Sequence, residues 1–249
     1  LTLTKIDKLS EYMAFIEELP SDFSLSRGQA GDYPLLPSAL RKDSSDKRKY
    51  PKRAIRNFLE EFKLNSYQYM NNPSDIENDV EWMLYAQHYG IPTRLMDFTT
   101  SHIVSLLFAV EKSFQNEGEK EAVVYFLNPT KLNLLNVQQE QIINISGIPA
   151  ISSENHDGPI VIQGRKINPR VNAQKGLFVL FQDDDNPLES ISNEDVLRKL
   201  VITGSETKSI LSSLYSMGIS FSHIYPELSS VAKDIVMQQD ILDYIRDKN

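Results

Sequence analysis

Apolar positions recur at helical spacing over the first part of the chain and then give way to short β-rich runs, and that change predicts the architecture. Ile6, Leu9, Met13, Ile16 and Leu19 mark an amphipathic helix that Pro20 closes. Asp22 to Leu25 reads as a short strand, followed by Arg27-Gly28-Gln29 and a loop punctuated by Pro34 and Pro37. Ile55, Phe58, Leu59 and Phe62 form the stripe of a second helix. A third starts at Ser74 and Glu77, spaced as a capping box, with Ile76, Val80, Met83, Leu84 and Gln87 on one face behind them. It must end near His88, because Gly90 suits a helix terminus and Pro92 cannot easily continue one. Ile91 to Thr100 is expected to be a loop. Thr100 or Ser101 then caps a strongly apolar fourth helix carried by Ile103, Leu106, Leu107, Val110 and Phe114.

Beyond that helix the texture changes. Ala122–Leu127, Ile160–Gln163, Leu177–Phe181 and Leu200–Thr203 are strand-like runs separated by Pro, Gly, Asn and Asp clusters. Helical spacing returns in Ile210, Leu211, Leu214 and Met217, which stop at Gly218, and in Leu228, Val231, Ala232 and Ile235 after Pro226. The expected fold is a single α+β domain over residues 5–240, its helical N-terminal half packed on a mixed or antiparallel sheet from the second half.

Composition narrows the class. A chain of 249 residues, 41% of them hydrophobic, can bury a core without staples. Cysteine is absent, which excludes disulfides and thiolate metal sites and fits a reducing, cytoplasmic setting. No run approaches the roughly 20 apolar residues of a membrane helix, and Leu1 to Ser10 lacks the apolar core of a signal peptide. Because the first residue is Leu rather than Met, a segment of a longer protein is expected. The net charge of −8 argues against broad affinity for nucleic acid. Yet Arg41 to Arg56 holds eight basic residues against Asp43 and Asp46. That segment is either a solvated loop and helix face or the footprint of a negatively charged partner, a nucleic acid or an acidic protein.

The densest polar constellation runs from Gln87 through His88, Tyr89, Arg94, Asp97, Thr99 and Thr100 to Ser101, between two helices expected to be buried. Polar groups placed there need partners or a ligand. His88 offers a titratable group, Arg94 a fixed cation and Asp97 a carboxylate. Thr99 to Ser101 bring hydroxyls and backbone N–H groups to a helix N-terminus, where anions are favoured. The alternative is structural: an Arg94–Asp97 pair bracing a rigid turn, with His88 a satisfied core histidine. The scattered His102, His156 and His223 have no helical carboxylate pairing of the zinc-enzyme kind, so no structural metal is expected. No glycine-rich phosphate loop occurs. Asp183 to Asp185 reads as an acidic turn, either a solvated hairpin tip or a seat for a divalent cation.

Arg27-Gly28-Gln29, Pro34-Leu35, Pro37-Ser38 and Arg41, followed by Ala86-Gln87-His88-Tyr89-Gly90-Ile91-Pro92-Thr93-Arg94-Leu95 with Asp97 and Thr99, resemble the FRG domain family. That family takes its name from a Phe/Tyr-Arg-Gly motif and carries an AQHYGxPTRLLDWT block. Ala122 to Pro129, Ala173-Gln174-Lys175-Gly176-Leu177-Phe178 and Tyr225-Pro226-Glu227-Leu228 continue the likeness in order. Ser26 stands where the naming aromatic belongs. The resemblance implies a bacterial or phage setting, including phage–host conflict. A more distant likeness is to ADP-ribosyltransferases that open on a strand-borne Tyr-Arg-Gly, and it implies a nucleotide ligand with NAD foremost. Arg27, with Gly28 and Gln29, would hold the diphosphate. Gln87, Tyr89, Arg94, Thr99, Thr100 and Ser101 would line the pocket, and Gln174 would occupy the late catalytic position. Gln174 carries no negative charge, so Asp97 or His88 would have to take over the carboxylate's work, or the domain only binds.

Overall fold

The computed structural model describes residues 3–70, 76–115, 119–145, 156–164, 176–184 and 186–248. Its strands are β1 (Leu3–Ile6), β2 (Leu25–Gln29), β3 (Leu95–Thr99), β4 (Ala122–Leu127), β5 (Ile143–Asn144), β6 (Ile160–Gln163), β7 (Gly176–Leu180) and β8 (Leu197–Ile202). They form one eight-stranded sheet in the order β1-β8-β4-β2-β3-β7-β6-β5. The outer pairs β1–β8 and β5–β6 are parallel and the inner pairs antiparallel. The helices are α1 (Leu9–Glu18), α2 (Lys52–Ser66), α3 (Asp79–His88), α4 (His102–Val110), α5 (Pro129–Val137), α6 (Leu188–Ile191), α7 (Thr207–Ser216), α8 (Phe221–Ile224) and α9 (Leu228–Lys248). This is the expected α+β domain with a mixed sheet, and it also draws three strands from the first hundred residues.

One face of the sheet buries Leu25, Met96, Phe98, Val123, Tyr125 and Val179 against Leu35, Leu36, Leu40, Leu132 and Leu188. The opposite face is covered in two blocks. Val124, Phe126, Leu200 and Ile202 pack on Leu106 and Leu107 of α4 and on Leu211 and Leu214 of α7. Leu95, Ile160, Ile162 and Leu180 pack on Val80, Met83 and Leu84 of α3. The join between these blocks falls at β2 and β3.

Strand β3 overturns the loop expected over Ile91 to Thr100. Leu95, Met96, Phe98 and Thr99 are buried and Asp97 is exposed. A central strand covered on both faces does not alternate apolar with polar, so its period gives no signal. Strand β2 takes in Arg27-Gly28-Gln29, beyond the strand expected over Asp22 to Leu25. The glycine serves proximity: a Cβ on residue 28 would lie 1.8 Å from the Ser105 carbonyl oxygen and 2.7 Å from the Ala109 nitrogen. Only a bare Cα lets β2 approach α4 so closely.

The third helix begins later than expected. Asn78 Oδ1 accepts from the Glu81 N–H at 3.0 Å, and Glu81 Oε2 accepts from the Glu77 N–H at 2.8 Å. The cap is therefore Asn78 with Glu81 rather than Ser74 with Glu77, and Ser74 lies outside the described residues. The helix ends at His88 as expected, with Gly90 at φ +88° and the Ile91 N–H reaching back to the Ala86 carbonyl at 3.1 Å. Helix α5 was not anticipated, although Asn128 capping the Lys131 N–H and Pro129 at the first position are ordinary start signals.

Replacing Gly28 by Ala should force β2 and α4 apart and cost about 3 kcal/mol or more, because a backbone cannot yield as a side chain can. Gln29→Ala, one residue further along the strand, should cost less than about 1 kcal/mol. Urea denaturation of the two variants compares the costs directly.

Candidate functional site

The ladder between β2 and β4 runs from Leu25 to Gln29, but β2 and β3 meet in one registered pair, Ser26 with Thr99. Past Ser26 the two strands splay. The Arg27 side chain spans the opening, its Nη1 donating to the Asp97 carbonyl at 2.8 Å. The motif and the block after α3, separate in sequence, thus converge. Their meeting place is a cavity of about 400 Å³ whose wall includes Arg27, Gly28, Gln29, Tyr33, Arg41, Asp97, Thr99, Phe108, Glu111, Lys112 and Tyr225.

The electrostatics of this cavity favour an anion. Arg27 Nε is buried and has no hydrogen-bond partner. Desolvation lowers the Arg27 pKa, the Asp97 charge raises it, and Arg41 lowers it again. Two guanidinium groups therefore repel each other across the cavity. Glu111, one of its acids, is held 2.8 Å from Lys233 of α9. A buried guanidinium nitrogen without an acceptor is costly, and a phosphate or carboxylate oxygen would satisfy it.

The other residues expected to form the site divide among different surroundings. Gln87 donates through Nε2 to Asp97 Oδ1 at 2.5 Å and accepts from Thr93 Oγ1, which also accepts from the Leu95 N–H at 3.2 Å. This bridge fixes the start of β3 against the end of α3. Asp97 itself is exposed. Arg94 lines a second cavity, of about 480 Å³, with Lys52, Arg56, Asp79 and Asp183. It is the larger of the two, but its charges are mixed and Lys52 is already 3.2 Å from Asp183, so the Arg27 cavity is the better anion site. Exposed Tyr89 belongs to an aromatic cluster with the half-buried Phe62 and Tyr85. The His88 ring meets Tyr89 edge to face at 4.8 Å. Thr100 is exposed, and Ser101 is the N-cap of α4, its N–H donating to Thr99 Oγ1 at 3.0 Å. Gln174 lies outside the described residues.

The basic segment is drawn partly inward. Arg41 faces the Arg27 cavity while its Nε donates to the Leu36 carbonyl at 3.3 Å. Arg48 and Lys52 hold Asp183 at 2.7 and 3.2 Å. The acidic turn is engaged by these cations, and Asp185 lies outside the described residues. Tyr33, Phe108, Glu111, Lys112 and Tyr225 were not anticipated. Glu111 and Lys112 directly follow the apolar α4, a polar pair that hints at a helix end facing a cavity, whereas Tyr33 and Tyr225 give no local signal.

Beneath the cavity lies a polar cluster. Ser26, fully buried, bonds His102 Nδ1 at 2.8 Å and Ser105 Oγ at 2.7 Å, and the Tyr12 hydroxyl donates to the His102 carbonyl at 2.7 Å. The His102 ring stands edge to face on Phe126 at 5.3 Å. Burial holds its pKa below the ordinary histidine value. Burial does the same for His156, where the Gly158 carbonyl opposes the shift and Arg94 adds to it.

The sequence model of the FRG domain matches residues 24–118, which run from just before β2 to beyond α4. That span contains every anticipated site residue except Gln174. No curated protein and no solved structure matches the chain.

A histidine whose folded pKa is depressed adds stability above its unfolded value, near 6.5, and that stability drains as pH falls through the lower folded value. Urea midpoints of the wild type should therefore drop between pH 7.5 and 5. The drop should be smaller in His102→Gln, which keeps the His156 contribution. An equal drop in both proteins would mean that the cluster tolerates the imidazolium.

Proposed function

We propose that the Arg27 cavity, which lies largely within the span matching the FRG domain model, binds a phosphate-bearing nucleotide, with NAD the leading candidate. The observation that carries this reading is the buried, unpartnered Arg27 Nε beside a second guanidinium. A diphosphate accepts from Arg27 and Arg41 together and relieves their repulsion. Phe108 and Tyr225, edge to face at 5.9 Å, and the exposed Tyr33 supply ring faces for a base. Gln29 and Thr99 supply polar contacts to orient it. A volume of about 400 Å³ falls within the usual range of ligand sites.

The reading extends to chemistry of the ADP-ribosyltransferase kind. NAD supplies a nicotinamide–ribose bond whose cleavage leaves positive charge on the sugar. Asp97 is the carboxylate we assign to offset that charge, and Gln87, bonded to it, would hold its orientation. We also extend the domain to residues 5–240. Both central strands of the matched span are paired outside it, β2 with β4 and β3 with β7, and Tyr225 lies on the cavity wall.

Calorimetric titration with NAD, ADP and inorganic pyrophosphate, alongside an assay for nicotinamide release, tests the reading. Arg27→Ala should weaken binding at least tenfold, since a charged hydrogen bond contributes about 1.5–3 kcal/mol. Asp97→Asn should tighten binding severalfold by removing a negative charge from the wall, and should abolish any nicotinamide release. Its unfolding free energy should stay within about 1 kcal/mol of wild type, because the carboxylate is exposed. A folded wild type that binds none of the three ligands overturns the nucleotide reading. It would turn attention to the basic segment as a contact for nucleic acid or an acidic protein, whose binding should fall steeply with salt.

A further inference from the structure

Helix α9 carries two apolar faces where a surface helix needs one. Its first face buries Met237 and Ile241 in the core shared with α4, α7 and α8. The same face is anchored by Asp234, which accepts from the Tyr215 hydroxyl at 2.7 Å and from the Phe221 and Ser222 N–H groups at 2.9 and 2.8 Å. The second face is Leu228, Val231, Ile235, Gln238, Leu242 and Ile245. All six are exposed, Leu228 at 88%, Ile235 at 65% and Leu242 at 61%. They follow one another at intervals of three and four residues in strict alternation, the spacing of a coiled-coil seam.

We propose that this stripe joins two copies of the chain in a parallel, in-register coiled coil. The one polar position selects the partner and its direction. In parallel register each residue meets its equivalent, so the Gln238 amides face each other and can exchange hydrogen bonds. The symmetric antiparallel arrangement would place Leu228 opposite Ile245, Val231 opposite Leu242, and Gln238 opposite Ile235, leaving both amides against an apolar neighbour. A single polar residue in a seam fixes register in this way.

The available surface fits a weak dimer. Burying a fully exposed aliphatic side chain removes about 60–120 Å² from water, by the ratio of its transfer energy to the energy per unit area. Scaled by their exposures, the five apolar residues of the two copies give a total of about 400–700 Å². With the glutamine that is the size of a weak, dissociable interface. The helix spans 21 residues, about 31 Å, and is already ordered by its other face, so pairing carries no nucleation cost. At its C-terminal end Arg246 is held 2.7 Å from Asp243, which blunts the repulsion between the two Arg246 side chains that a parallel alignment brings near each other.

Analytical ultracentrifugation of the full chain should show a species of twice 28.4 kDa that dissociates on dilution. Ile235→Glu combined with Leu242→Glu should sediment as a monomer while keeping the far-ultraviolet circular dichroism of wild type, because both positions are exposed. The sequence has no cysteine, so an oxidised Gln238→Cys variant should migrate as a disulfide-linked dimer on a non-reducing gel. A monomeric wild type at its highest soluble concentration would overturn the proposal, as would a dimer that survives the double glutamate substitution. A Gln238→Cys variant that fails to cross-link would overturn the in-register pairing.

Discussion

The contact between Gly28 and the backbone of α4 sets the position of everything around the cavity. Strand β2 is bonded along its whole length to β4 and pressed against α4, which holds it on two sides. It cannot also follow β3, whose full ladder is with β7. The sheet therefore opens where two well-satisfied halves meet, and the opening exposes backbone acceptors of β3 that a continuous ladder would have consumed. The Arg27 guanidinium takes one of these, the Asp97 carbonyl, and in doing so is carried into a half-buried place where one of its own nitrogens goes unpaired. A buried donor left unsatisfied costs about 1–3 kcal/mol, a cost that a site bears more readily than a scaffold does.

The motif that opens β2 also works on the other side of the strand. Successive residues point to opposite faces, so Ser26 and Gly28 serve α4 while Arg27 serves the splay. Ser26 offers a hydroxyl bonded to His102 and Ser105, and the imidazole against Phe126 fills the layer between strand and helix. A fully bonded polar cluster is intolerant of shifts in a way an apolar contact is not, which keeps β2 in register beneath the cavity.

Most of the longer helices were legible because an apolar stripe at helical spacing survives in the sequence, though α5 was missed. The end of α3 could be placed because Gly90 adopts the left-handed conformation the residue type favours. Strand β3 was hidden by its own burial, since Leu95, Met96 and Phe98 read as a short apolar patch between polar residues. The role of Gly28 has no local signal, since its backbone is extended and only the approach of α4 requires a glycine there. The convergence of Arg27 with Asp97 was readable from the family resemblance as a possibility, but the splay that produces it depends on strand order, which no local pattern encodes. The division of Arg94, Tyr89 and Gln87 into three different environments was not readable either. A loop drawn from Ile91 to Thr100 treats its polar residues as one surface, whereas a strand sends neighbours to opposite faces.

The sign of the cavity's field is decided from outside the matched span. Arg27, Arg41 and Lys112 face Asp97 and Glu111, a wall of three cations and two acids. Lys233, projecting from α9, draws Glu111 into a pair and lies 3.5 Å from the centre of the Phe221 ring, which fixes where its charge sits. With Glu111 offset in this way, the remaining balance at the splay is that of two guanidinium groups and a lysine against one exposed carboxylate. The same helix is held in place by Asp234, whose burial would raise its pKa but whose bonds from Ser222 and Tyr215 lower it below the ordinary carboxylate value. Asp234 thus ties three donors of the neighbouring segment to α9, which keeps that helix seated and Lys233 beside Glu111. The residues that would recognise a ligand on the proposed reading and the residues that would set its charge preference come from opposite ends of the chain, and the sheet joining β4 and β8 to β2 is what brings them together.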